Sequence, residues 1–261
     1  MKKTLIAIAM ASLTFPALAQ QKEPEPDYTI SGNFGLFSDY RFRGISQTDT
    51  GPALQGGFDF AHKSGFYLGT WASSISEYTS ATGDGMEIDF YGGYKFPIGS
   101  LTVDIGNLYY HYPGSIRSPD VDLKKPNTNE VYIGLGYGVM SFKTSYATTR
   151  YFGLPETKGT LYYDLSASIP LAEGLTLSAH AGYLNLKKAL YDDDDKKVKS
   201  GTDYRLAISK SLGAYTLSAA YVSNSGDWER FNSDINVDGK DDPTLKDLGK
   251  SAVVLSISAT F

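Results

Sequence analysis

The feature that most constrains this chain is a one-for-one alternation of apolar and polar residues, sustained from Tyr28 almost to the last residue. In the first stretch Tyr28, Ile30, Gly32, Phe34, Leu36, Ser38, Tyr40 and Phe42 fall on one face. Thr29, Ser31, Asn33, Gly35, Phe37, Asp39, Arg41 and Arg43 fall on the other. A period of two is that of a strand with one apolar face, because successive side chains leave a strand on opposite sides. On this reading the first strand runs over 28–43, with Tyr40 and Phe42 directed outward and Arg41 and Arg43 inward. The pattern returns in Met86, Ile88 and Phe90 against Glu87 and Asp89, and in Leu175, Leu177 and Ala179 against Thr176, Ser178 and His180. It returns once more in Val253, Leu255 and Ile257 against Val254, Ser256 and Ser258.

Twelve such segments can be marked, at 28–43, 51–62, 65–74, 85–96, 100–111, 128–138, 140–150, 159–170, 173–186, 201–211, 213–224 and 250–261. Tight turns rich in Gly, Pro and Ser join alternate pairs: HKSG at 62–65, PIGS at 97–100, GYGVMS at 136–141, PLAEG at 170–174 and SLGA at 211–214. Longer polar connections fall between them, around 44–50, 75–84, 112–127, 151–158, 187–200 and 225–249. A soluble β-sandwich gives no reason for short and long connections to alternate. A transmembrane barrel does, with short turns on the periplasmic side and long loops outside. Hydrocarbon offers no hydrogen bonds to a free strand edge, so a spanning sheet must close on itself. Strands of about 10 residues tilted by about 40° match an apolar band of about 25 Å. The fold class expected is therefore all-β: a transmembrane antiparallel β-barrel of about twelve strands.

The N-terminus and composition fit export. Lys2 and Lys3 precede an apolar run, and Ala17-Leu18-Ala19 has the small-x-small pattern that a signal peptidase accepts. The run is shorter than the roughly 20 residues of a spanning helix, which argues against a membrane anchor. The organisation expected is a signal peptide over 1–19, a periplasmic leader over 20–27 and a barrel over 28–261. Losing the two lysines moves the formal charge from −5 to −7, an acidic balance that argues against a nucleic-acid partner. The absence of cysteine excludes disulfides, thiolate metal sites and a cysteine nucleophile. The chain holds 20 Tyr, 13 Phe and 27 Gly, as expected of many strands with interfacial aromatics and close packing at glycines.

The stretch SDYRFRGISQT at 38–48, at the head of the first strand, resembles the TorF-type porin family of proteobacteria. GFYLGTWAS at 65–73, EIDFYGGYKF at 87–96 and the terminal Phe261 extend the likeness more loosely. The resemblance implies an outer-membrane barrel of porin type and says little about substrate.

Alternation assigns the lumen-facing charges: Asp39, Arg41, Arg43, Asp59, Glu87, Asp89, Lys95, Asp104, Glu130, Lys143, Asp164, Asp203 and Arg205. Rings of charge tune the selectivity of a pore, but the same residues pairing across the lumen would hold a barrel shut. Acidic residues outnumber basic ones among them, so by count an open pore would lean towards cations. Catalysis has little support: His62, His111 and His180 are the only histidines, and no serine-histidine-acid spacing stands out. In DINVDGKDD, Asp234, Asn236 and Asp238 precede Gly239 as in the opening of a calcium loop, but the twelfth position is Leu245 where a bidentate glutamate should stand. DDDDKK at 192–197 reads as a solvated loop tip. The function expected is passive diffusion of small hydrophilic solutes without a cofactor, in the cell outer membrane. The expected partners are lipid, lipopolysaccharide and the barrel-assembly machinery, the last through Phe261. The alternative is a non-transporting barrel acting as surface receptor, adhesin or envelope scaffold.

Overall fold

The computed structural model describes residues 26–76, 85–113, 125–191, 197–225 and 248–261, the side chains of 190, 191, 197 and 198 aside. Fourteen strands are present among them. In chain order they are β1 (Tyr28–Phe37), β2 (Arg41–Phe42), β3 (Ile45–Ser46), β4 (Ala53–His62), β5 (Phe66–Ser74), β6 (Met86–Ile98), β7 (Leu101–His111) and β8 (Thr128–Tyr137). They continue as β9 (Met140–Ala147), β10 (Leu161–Pro170), β11 (Leu175–Tyr191), β12 (Lys197–Leu212), β13 (Tyr215–Ser225) and β14 (Ala252–Thr260). Twelve of these form one closed antiparallel barrel, and β2 and β3 form a separate two-stranded ribbon.

Barrel neighbours follow chain order, and β1 closes the ring against β14. The β1–β4 ladder runs from Tyr28 opposite His62 to Phe37 opposite Ala53. The β1–β14 ladder is shorter, from Asn33 opposite Thr260 to Phe37 opposite Ser256. Gly32 and Phe261 extend it, exchanging backbone hydrogen bonds of 2.7 and 2.9 Å. Every strand of the barrel is thereby paired on both sides, as closure requires.

Alternation sorts the two faces as the sequence leads one to expect. Phe34, Leu36, Phe58, Phe90, Ile105, Ile133, Leu206 and Leu255 each remain about half exposed on the outer wall. An apolar exterior of this extent is far beyond the patches that proteins present to water, and it suits hydrocarbon.

The inner face carries the tyrosines in a way that composition does not announce. An added Cβ at Gly69 would run into the Tyr91 ring, and one at Gly106 into the Tyr132 hydroxyl. At Gly182 it would collide with the Tyr162 hydroxyl. Tyrosines of one strand thus lie flat over glycines of the next. Tyr67 and Tyr132 are hydrogen-bonded to each other, and Tyr67 donates to Asp104 at 2.6 Å. Tyr91 donates to Asp59 at 2.6 Å. These rings occupy the lumen along β5–β8. The wall from β9 round to β14 carries one such ring, Tyr162, beside the smaller Ser145, Ser166, Ser218, Ala220 and Ser256, and there the space stays open.

Two expectations about element bounds are corrected. The first strand ends at Phe37, and residues 38–52 turn inward instead of continuing to 43. The 187–200 stretch is mostly strand: β11 reaches Tyr191 and β12 begins at Lys197, with a register irregularity between Asn185 and Leu190.

Candidate functional site

Residues 38–52 enter the barrel at the end where the long connections emerge. Tyr40 and Phe42, expected to face outward, are inside. The Tyr40 hydroxyl donates to Glu87 at 3.2 Å and its ring meets Trp71 edge-on at 5.3 Å. Phe42 packs against Tyr110 and Phe152, with centroids 5.6 and 5.4 Å apart. The alternation that placed them outward belongs to a strand, and the strand has already stopped.

The inturned segment is organised by its own polar residues. Asp39 accepts from Arg41 Nε at 2.5 Å and from Ser46 Oγ at 2.6 Å, and Thr48 Oγ1 lies 3.2 Å away. The Tyr40 amide donates to Thr48 Oγ1 at 3.1 Å, and the Gln47 amide to the Tyr40 carbonyl at 2.7 Å. The Asp39 carboxylate is the hub, which is why a short polar run folds without helix or sheet of any length. Arg41 fastens this unit to the approach to β14, donating to the carbonyls of Leu248 at 2.8 Å and Lys250 at 2.9 Å.

The tip of the segment spans the bore. Arg43 has φ 48° and Gly44 φ 83°, and Asp49 and Thr50 are also left-handed at 51° and 59°. Non-glycine residues there carry strain that the surroundings must hold. At Gly44 a Cβ would lie 2.9 Å from that of Asp203 and 3.0 Å from that of Asn224, so only glycine lets the tip rest on β12 and β13. From this point Arg43 reaches β8. Its Nη2 straddles the Glu130 carboxylate at 2.8 and 3.0 Å, and Nη1 donates to the Tyr151 hydroxyl at 2.9 Å. Its guanidinium also sits 4.0 Å above the Tyr162 ring. Arg43 is 9% exposed and Glu130 2%. Burial alone would pull the guanidinium's pKa down, but Glu130 holds it above its ordinary value, so the group stays charged. Tyr151, in the turn Tyr151–Gly153, is pushed up to about 12 by burial.

Beneath the segment lies a cavity of about 480 Å³, roofed by Tyr40 to Gly44 and walled mainly by β9 to β14, with Phe37, Gln55, Leu108, Tyr110 and Tyr132 closing the rest. On that wall His180 joins two carboxylates, Nε2 at 2.8 Å from Asp203 and Nδ1 at 3.3 Å from Asp164. Ser166 donates to Asp164 at 2.6 Å and lies 3.2 Å from His180 Nδ1, and Tyr162 donates to Asp203 at 3.0 Å. A serine, a histidine and two aspartates are therefore brought together that no sequence spacing joined, since they lie on three strands. Ser166 and Asp164 share the Nδ1 side of the ring, and Asp203 takes the Nε2 side.

The residues picked out by alternation fall into distinct settings. Asp39, Arg41, Arg43 and Glu130 form the inturned unit and its anchor. Glu87 and Asp89 are buried beside it on β6. Asp59, Asp104 and Lys95 belong to the tyrosine-filled side, where Lys95 Nζ lies 3.6 Å from Asp104. Lys143, Asp164, Asp203 and Arg205 line the cavity. Asp234, Asn236 and Asp238, the acidic tip at 192–196 and the segment 1–19 lie outside the described residues. Alternation missed the aromatic partners Tyr110, Tyr151 and Tyr162, because a hydroxyl on a lumen tyrosine reads as one more aromatic.

The sequence matches, over residues 21–261, the family described as "Bacterial protein of unknown function (Gcw_chp)". The chain belongs to the Gcw_chp family. No curated protein matches it. Among solved structures, this Gcw_chp barrel is similar to the KdgM porin, with TM-score 0.52 at 8% identity, covering 88% of this chain and 99% of that one. It is likewise similar to the NanC porin, with TM-score 0.53 at 10% identity, covering 88% and 99%. At such identities the likeness concerns the fold: a closed twelve-stranded antiparallel barrel of porin type.

Proposed function

We propose that this Gcw_chp protein is an outer-membrane channel for passive diffusion of small hydrophilic solutes, and not an enzyme. The observation that carries the reading is the division of the lumen. One side is filled by tyrosines on glycines, and the other keeps a polar, small-residue wall beneath the inturned segment. Solutes would pass along β9–β14, and residues 38–52 would set the constriction, placed at the outer end if the long connections face outward. The resemblance of SDYRFRGISQT to the TorF-type porins supports the same reading, since that stretch is the one that forms the constriction. A cleaved signal peptide over 1–19, lipid and lipopolysaccharide around the wall, and recognition of Phe261 by the assembly machinery complete the proposal. Calcium at Asp234, Asn236 and Asp238 stays a proposal for the loop that bears them.

A second reading has its own support: the Arg43–Glu130 pair pins the tip across the bore, as expected of a barrel that serves as receptor, adhesin or scaffold and does not conduct. Single-channel recording of the refolded protein in planar bilayers separates the two. Conductance steps are expected for the channel. Correctly folded protein, shown by heat-modifiable gel migration, that gives no steps even when residues 39–50 are replaced by a short turn would leave the second reading standing.

A further inference from the structure

The carboxylates and the cations of the cavity wall are not equally engaged. Asp203 takes His180 on Oδ1 and Tyr162 on both oxygens, whereas Asp164 takes Ser166 and His180 on Oδ1 alone. Lys143 and Arg205 differ. Among the described residues neither makes an ion pair. Lys143 lies over the face of Tyr132, with Nζ 5.6 Å from the ring centroid, and stands opposite Asp164 in the ladder, while Arg205 has a long contact of 3.4 Å to Ser178 Oγ. Both line the cavity.

Register places the two cations at the ends of one arc. Lys143 stands opposite Asp164 and Asp164 opposite Gly182, while Gly182 stands opposite Asp203, two residues from Arg205 on β12. That is three strand spacings across and two residues along, roughly 16 Å of wall. Lys143 leans towards Tyr132 on β8 and Arg205 towards Ser178 on β11, and both side chains border the one cavity. Between them the fixed charges are two carboxylates that share a histidine. An incoming cation would find Asp203 occupied and one oxygen of Asp164 open, with Lys143 directly opposite that residue in the ladder to repel it. An incoming anion would find an exposed ammonium and an exposed guanidinium with donors open for charge-assisted hydrogen bonds.

We infer that the cavity beneath residues 38–52 is a binding site for a small anionic solute, a carboxylate or a phosphate, held by Lys143 and Arg205. The charge count leans the other way, towards cations, but it counts carboxylates that already have partners. The site gives the proposed channel its solute class and rests on that reading for its role, although binding does not itself require conduction.

Isothermal titration of the refolded mature barrel in detergent, at low ionic strength, tests the site with citrate, inorganic phosphate, putrescine and glucose. At least one of the two anions should bind, the stronger of them naming the chemistry, while putrescine and glucose should bind at least about tenfold more weakly, a difference in free energy of about 1.4 kcal/mol. The double variant Lys143→Gln/Arg205→Gln should lose about tenfold or more in affinity, and added salt should weaken what remains. Lys95→Gln, which removes a cation from the opposite side, should change little. Putrescine binding as well as both anions, or anion affinity unchanged in a folded double variant, overturns the site. The comparison within the unsubstituted protein stands even if the double variant does not fold. Citrate binding without conductance would sink the channel and keep the site, and conductance without anion binding would do the reverse.

Discussion

At the scale of single residues, the site depends on positions where little can be changed. Arg43 and Glu130 are buried together, and removing Arg43 takes from the Glu130 carboxylate its guanidinium and leaves it the long contact to Tyr110. Arg43→Ala is expected to destabilise the barrel by about 3–5 kcal/mol, the usual cost of stranding one member of a buried pair. Adding Glu130→Ala to it should recover part of that loss, a non-additivity that urea unfolding of the single and double variants would measure. Arg43→Lys should not substitute well, because a lysine cannot bridge Glu130 and Tyr151 while lying over Tyr162. Gly93 offers a contrasting test. Its added Cβ would meet the Ile105 carbonyl and the Tyr67 hydroxyl, each at 2.5 Å, and a backbone oxygen cannot step aside as a ring can. Gly93→Ala is expected to cost about 1–3 kcal/mol by the same unfolding assay, and an unchanged midpoint would show that the tyrosine layer is looser than drawn.

At the scale of elements, the seam and the inturned segment lead to separate predictions. The β1–β14 ladder is the shortest closure in the ring, and Phe261 lengthens it through both of its backbone bonds to Gly32. Its ring also covers Gly32 and meets Phe58 edge-on at 6.5 Å. Deleting Phe261 should therefore reduce the folded fraction recovered on refolding into detergent, read from heat-modifiable migration, even with no assembly machinery present. Wild-type recovery would restrict any role of Phe261 to recognition. The segment 38–52 takes its internal shape through Asp39, whose carboxylate serves Arg41 and Ser46. Asp39→Ala should free the segment while leaving the twelve strands paired, so circular dichroism would be unchanged while a protease gains access to 38–52. How legible each element was differs for a physical reason. β4 to β14 announce themselves because lipid and lumen demand opposite chemistry on alternate residues. Tyr40 and Phe42 misled because an aromatic on a polar background looks the same whether it meets lipid or a tyrosine-lined lumen.

At the scale of the whole molecule, the lumen is divided, and the division sets what can be measured. With tyrosines filling the β5–β8 side and residues 38–52 across the mouth, the proposed channel should conduct in small steps when unmodified. Replacing 39–50 by a short turn should raise the step size several-fold, while Gly69→Ala, on the filled side, should not. An equal effect of both would place the path through the tyrosines and overturn the division.

Residue order was enough to show that this chain alternates, that the alternation comes in twelve stretches with short and long connections in turn, and hence that it closes into a barrel with an apolar outside. Those are local properties: each strand carries its own record of two environments, and closure follows because no edge can be left unpaired. Only the closed fold reveals that SDYRFRGISQT leaves the wall, crosses the bore and sets Arg43 on Glu130, 87 residues away in the chain. It also settles which charges are engaged, with His180 set between Asp164 and Asp203 and with Lys143 and Arg205 facing open space. A charge in a sequence shows its sign and its face, but whether that charge is satisfied depends on what the closed ring brings opposite to it.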